Sequence, residues 1–400
     1  MIHLLSKRLT LYFFAAVAFW LYPFLAGIAF ARRRGARARL ASSEPRILVV
    51  PILTRVGDLV CSTPVFREIK RVYPRVHLAV VVGRKAKGIL VHNERIDELI
   101  DYNKECFHGW LGRARFFCFL FSQNFDAVYA LGTSVIGTLC GIFSAAPWRV
   151  KTTVSQPPLF EILTDWLNTH KVLYRTGSFL PAHYLSLLFS FGVRVGEPVK
   201  EVFTTVVGDK KVREWLSRAG FTVGVPVVGM TVSAGNKIKE WPCERFAAVA
   251  DMLVERFGAR ILFIDSPPNR ARAEETYTHM RHQESAAIAT EFSLEELPSL
   301  IKELSLFIAA DTGAIYIAHA LGIPLVDIIG PVHPDEQPPR DERSIQVLPK
   351  EGIKPTSFVL AVQKHNVDHT CAVLSIEVTD VFAACVELHA RGFFHPPLQV

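Results

Sequence analysis

Four short segments place polar side chains where an apolar run gives way to a helical pattern. Thr54-Arg55-Val56-Gly57-Asp58 follows the run ILVVPIL of residues 47–53. Gly57 suits a tight turn, and Asp58 then stands at a helix start. There it is read either as a carboxylate for general acid–base work or as an acid favoured at a helix N-terminus. The segment SAGNKIKEWP, 233–242, ends a strand-like run in small residues, then supplies Lys237 and Lys239 ahead of a helix. Small residues admit a phosphate close to the backbone and a lysine offers it a point charge; the alternative is a solvated loop with Trp241 and Pro242 as packing. In AADTGA, 309–314, Asp311, Thr312 and Gly313 turn the chain into an apolar helix whose free N–H groups suit an anion, or which Asp and Thr simply cap. The fourth segment, IIGPVHP at 328–334, reads as a Gly-Pro turn.

Parallel strands alternating with helices are needed to hold these segments. The continuous apolar runs ILVV, HLAVVV (77–82), DAVYAL (126–131), VPVVGMTV (225–232), ARILFID (259–265), LFIAA (306–310) and IPLVDIIG (323–330) suit strands covered on both faces. Helical patterns separate them, with a capping-box start expected at Ser293 and Thr379 expected to cap the last helix. This rhythm predicts an α/β protein of two doubly wound parallel sheets. Residues 145–180 show no clear pattern. The expected organisation is 1–44 as anchor and linker, 45–215 as the first domain, 216–375 as the second, and 376–400 as a final helix and tail.

The formal charge is +7, but Lys7, Arg8, Arg32, Arg33, Arg34, Arg37 and Arg39 all precede Glu44, the first acidic residue. From residue 44 onward the chain is balanced, which argues against a nucleic-acid-binding body. Residues 9–30 carry no charge, and as a helix they would span about 33 Å, enough for a bilayer core. Pro23 predicts a kink. The arginines on the C-terminal side place the rest of the chain in the cytoplasm if the helix crosses. A signal peptide cleaved near Ala31 and a hairpin dipping into one leaflet are the alternatives. The 7 cysteines form no C-x-x-C pair and suit free thiols in a reducing compartment. The chain has no G-x-G-x-x-G after the first run, no P-loop and no H-E-x-x-H, which excludes most dinucleotide, P-loop and zincin chemistry. No metal site is expected.

In order and spacing, residues 47–74, 232–253 and 293–334 resemble glycosyltransferase family 9, the ADP-heptose:lipopolysaccharide heptosyltransferases. The resemblance implies a GT-B-like fold, with two Rossmann-like domains facing a cleft, preceded here by a transmembrane helix. It implies an inverting, metal-independent transferase. The donor would be a nucleotide sugar, with an ADP-linked one among the candidates, and the acceptor a lipid-linked glycan, on the cytoplasmic side of a bacterial inner membrane with a single-pass anchor. No cofactor and no nucleic-acid partner are implied. Asp58 matches the family's catalytic carboxylate and Lys239 its phosphate-contacting lysine. Asp311, Thr312 and Gly313 match the donor-binding turn, and Ser233 a hydroxyl near the phosphates. The family pattern Asp-Thr-Gly-x-x-His has Tyr316 at its sixth position here, with His319 three residues on. A nucleotide-sugar-binding scaffold and a sugar-nucleotide epimerase of similar architecture are the rival readings.

Overall fold

The computed structural model describes residues 2–360 and 370–395, which divide into two units: 2–199 with 359–360, and 200–358 with 370–395. The first unit opens with helix α1 (Ile2–Ala41). Its strands are β1 (Arg46–Val50), β2 (His77–Val82), β3 (Glu98–Asp101), β4 (Ala127–Ala130), β5 (Trp148–Val154) and β6 (His170–Tyr174). Between them run α2 (Val56–Val72), α3 (Gly109–Ser122), α4 (Val135–Phe143) and α5 (Leu159–Asp165), with α6 (Leu180–Ser186) after β6. All neighbouring strands are parallel, in the order β3-β2-β1-β4-β5-β6. Val and Ile of the central strands are buried because helices cover both faces.

The second unit begins with α7 (Val206–Arg218) and repeats that plan. Its strands are β7 (Val227–Thr231), β8 (Arg260–Ile264), β9 (Ala286–Ala289), β10 (Leu306–Ala310), β11 (Leu325–Ile328) and β12 (Ser344–Val347). They lie in the order β12-β11-β10-β7-β8-β9, again all parallel. The helices are α8 (Cys243–Phe257), α9 (Arg270–His279), α10 (Leu297–Lys302), α11 (Gly313–Ala320), α12 (Thr370–Leu374) and α13 (Val378–Ala390). Counted within each unit, both sheets have the strand order 3-2-1-4-5-6. That order puts a topological switch point between β1 and β4 and another between β7 and β10, where doubly wound sheets bind ligands beyond the strands' carboxyl ends.

The units divide between Val199 and Lys200, earlier than the 215 read from the sequence. Helix α7 belongs to the second unit because Lys211 pairs with Glu296, Arg213 with Glu303, and Lys302 with Asp209. The unpatterned stretch 145–180 holds β5, α5 and β6. Helix α10 starts four residues after Ser293, with Pro298 in its first turn, although Ser293 still donates its N–H to Glu296 Oε2 at 2.9 Å. Glu377, not Thr379, caps α13, in a capping box with Asp380. The Gly-Pro turn is real: Gly330 has φ +54°, which a side chain would strain. All seven cysteines are free.

Helix α1 runs unbroken through Pro23 and extends well beyond 9–30. Phe14, Ala15, Ala18, Leu25, Ala29 and Ala36 form a buried stripe along it, at the three-and-four spacing of one helix face. Its Phe14, Ala15, Ala18 and Leu25 join the core that holds Phe117, Leu139 and Ile142. Arg39 closes the contact, donating from Nε to the fully buried Asp126 at 2.9 Å.

Candidate functional site

Three of the four polar segments follow a strand that borders a switch point, β1, β7 or β10; the fourth follows β11. In the first unit, β1 delivers the chain to residues 51–55, and α2 begins at Val56 with Arg55 as N-cap. The turn is made there and not at Gly57, which lies within the first turn of α2 and has no left-handed backbone. Asp58, in the same turn, is only 3% exposed, and its Oδ2 lies 3.9 Å from Arg55 Nη1. The helix start favours the carboxylate form. Tyr184, on α6, lies close by. Burial, and then the negative charge of Asp58, push its phenol well above the usual range, so the hydroxyl keeps its proton beside the carboxylate. Nothing local in the sequence singles out Tyr184, which only the packing of α6 on α2 brings in.

In the second unit, the chain leaves β7 at Thr231 and reaches Ser233 two residues on. Its hydroxyl donates to Asp265 Oδ1 at 2.7 Å and accepts from Asn269 Nδ2 at 2.8 Å. Ser233 thus ties the loop to the end of β8. The loop then makes a short 3-10 turn, Lys237–Lys239, before Trp241 enters the core and donates from its indole to the Ile376 carbonyl. This turn aims Lys239 at the end of β10, where Nζ donates to Asp311 Oδ2 at 2.6 Å. The lysine side chain is 15% exposed and the aspartate 4%.

Asp311 also accepts the hydroxyl hydrogen of Tyr316, one turn into α11. Thr312 occupies the N-cap of α11 but makes no side-chain cap bond, so the first N–H groups of the helix have no side-chain oxygen on them. Asp311, Thr312, Gly313, Lys239 and Tyr316 therefore meet at one strand end. His319 belongs to a neighbouring cluster: its Nε2 lies 3.3 Å from Asp341 Oδ2, and its Nδ1 lies 3.4 Å from Lys200 Nζ. Burial would raise the Asp341 carboxyl, but hydrogen bonds from His319 and Ser344 bring it down to about 2. Lys200 Nζ also sits 5.7 Å from the Tyr316 ring centre, linking the two clusters.

Asp327, on β11 opposite Ala309, lies beneath this group. It is fully buried, and neither carboxyl oxygen has a hydrogen-bond partner among the described residues. Burial, and then the charge of Asp311, raise its pKa well above the usual value, so it stays protonated in the fold. The unfolded chain ionises this carboxyl at about pH 4, so its contribution to stability falls as the pH rises above that. Asp327→Asn is expected to raise the melting temperature at pH 8, with the gain shrinking toward pH 4. A gain that does not depend on pH would show that Asp327 is ionised in the fold. Among the described residues, no group of three or more His, Cys, Asp or Glu side chains is placed to hold a metal.

Together the second-unit residues bring to one strand end an ammonium, helix N–H groups without a side-chain cap from Thr312, and an aspartate bonded by a tyrosine. The family model "Glycosyltransferase family 9 (heptosyltransferase)" matches residues 164–362. The lipopolysaccharide core heptosyltransferase OpsX of Haemophilus influenzae is 24% identical over 296 residues, 72% of this chain and 80% of that protein. A family 9 glycosyltransferase from Veillonella parvula superposes with TM-score 0.71 at 21% identity, covering 87% of this chain and 97% of that one. The Escherichia coli ADP-heptose LPS heptosyltransferase II superposes with TM-score 0.68 at 18% identity, covering 87% and 99%. The fold is GT-B-like.

Proposed function

We propose that the chain, which matches glycosyltransferase family 9 over residues 164–362, transfers a heptose from ADP-heptose to a lipid-linked glycan of the lipopolysaccharide type at the cytoplasmic face of a bacterial inner membrane. The observation that carries this reading is the convergence of Lys239, Asp311 and the uncapped start of α11 at the switch point of the second sheet. Glycosyl transfer breaks the bond between the anomeric carbon and the diphosphate, and negative charge grows on the departing oxygen. Lys239 and the N–H groups of Gly313 and Ala314 stabilise that charge without having to reorganise. Asp311 orients Lys239, and Tyr316 fixes Asp311, so the tyrosine takes over a positioning role within the motif. Ser233 holds the loop in place.

Asp58 takes the proton from the acceptor hydroxyl as it attacks the anomeric carbon from the face opposite the leaving group, which inverts that centre. Tyr184 keeps a protonated hydroxyl near it. The chain works without a resident cofactor, since the nucleotide sugar is a substrate. Helix α1 is the element that meets the membrane.

The test is direct. The full chain is incubated with ADP-heptose and a lipid-linked core glycan lacking its outer heptoses, and the glycan is weighed by mass spectrometry. A gain of one heptose is expected. Transfer from a different nucleotide sugar, with none from ADP-heptose, would refute the donor assignment.

A further inference from the structure

The first helix is apolar enough to cross a bilayer, yet its packing says otherwise. Its buried stripe runs from Phe14 to Ala36 against the same folded unit. Near its C-terminal end, Arg32 donates to the Ser144 carbonyl at 3.0 Å and Arg39 pairs with Asp126. Toward its N-terminal end, Tyr12 packs on Phe160 and Phe13 on Trp110. A helix held at both ends to one α/β unit cannot cross a bilayer alone. It would pull α4 and the sheet beneath it into hydrocarbon, where that fold's loops and strand ends could not satisfy their backbone groups.

The opposite face of α1 is bare and aromatic. Trp20 is 84% exposed, and Phe19, Phe24 and Phe30 are exposed with it. The surface continues onto the neighbouring helices. On one flank, Trp110 and Leu111 of α3 are exposed. On the other, Phe19 and Tyr22 pack edge-on to Trp166, at the end of α5, and Leu159, Ile162 and Leu163 of α5 point outward. Three helices thus share one apolar aromatic surface. Exposed Arg33, Arg34 and Arg37 follow it on α1, and no acidic residue precedes Glu44. Aromatic side chains beside basic ones suit the headgroup boundary of an anionic leaflet.

We propose that α1 lies in the plane of an anionic membrane as the centre of a monotopic docking face, with the starts of α3 and the whole of α5 beside it, and does not span the bilayer. This rests on the reading that the enzyme works at a membrane, so the test reads topology and lipid binding and does not read transfer. In spheroplasts making the full chain with an N-terminal tag, the tag is expected to survive external protease; digestion would show a crossing and overturn the proposal. With the purified chain, Leu159→Ser/Ile162→Ser/Leu163→Ser is expected to weaken binding to phosphatidylglycerol-containing vesicles by about tenfold or more, with its circular dichroism unchanged. Binding equal to the parent would remove α5 from the face. Added salt is expected to weaken binding, and vesicles of phosphatidylcholine alone to bind less well. A lipid-free dimer that ignores vesicles would reassign the surface to self-association. Transfer that fails while the tag stays protected and vesicles bind would count against the catalytic reading alone.

Discussion

Asp58→Ala is expected to lower heptose transfer by about 10²-fold or more, the range for loss of a positioned general base, while ADP binding survives. The two effects separate because Asp58 follows β1, whereas the proposed diphosphate site follows β7 and β10 of the other unit. Asp58→Asn sharpens the test. It keeps the shape and a hydrogen-bonding oxygen but cannot accept the proton, so it should lose nearly as much activity as the alanine variant. The carboxylate also completes a helix start, a contribution of only about 0.3–1 kcal/mol, so the melting temperature should move by a few degrees at most. Transfer near the parent rate in either variant, with the fold intact, would remove Asp58 from the reaction.

How far the sequence reached depended on where burial was apolar. Runs such as ILVV and LFIAA announced their strands because nothing in them needed a partner. Strand β5 did not, because it reads Trp-Arg-Val-Lys-Thr-Thr-Val with Arg149 and Lys151 buried. Those charges are tolerable only because Arg149 donates to the carbonyls of Leu167 and Ala146, and Lys151 Nζ lies 2.6 Å from Asp165 Oδ1. Such partners come from the turn before the strand and from the end of α5 and the turn after it, and no hydropathy pattern shows them. The N-terminal segment shows a different limit. Its composition meets the requirement for a span, while hydropathy alone does not show that Ala15, Ala18, Ala29 and Ala36, spaced along one face, are buried.

The site was legible in the same uneven way. Asp58, Lys239 and the Asp311 turn were marked by their place after strands, and the structure sets them beside the switch points of their own sheets. That Tyr316 bonds to Asp311 while His319 turns to Asp341 was not marked, because residues 316 and 319 differ by nearly a full turn of a helix whose start had to be fixed first. Lys200, Tyr184 and Asp327 reach their sites through tertiary packing alone.

Lys239→Met is expected to do two things at once, and a second substitution tells them apart. It removes the ammonium proposed to meet the donor diphosphate, which should weaken ADP binding by about 10–100-fold, the loss of roughly 1.4–2.8 kcal/mol of charge-assisted contact. It also strands Asp311, which is nearly buried, faces protonated Asp327 and would keep only the Tyr316 hydroxyl. Breaking a buried pair from one side costs about 3–5 kcal/mol, enough to lower the melting temperature clearly. Asp311→Asn added to Lys239→Met takes away the stranded charge, so most of the lost stability should return. ADP affinity should stay low, because nothing has replaced the cation. Calorimetric titration with ADP beside thermal unfolding reads both quantities on the same samples. If the double variant regained affinity along with stability, Lys239 would be only the counter-ion of Asp311, and the charge on the departing diphosphate would rest on the N-terminus of α11 alone.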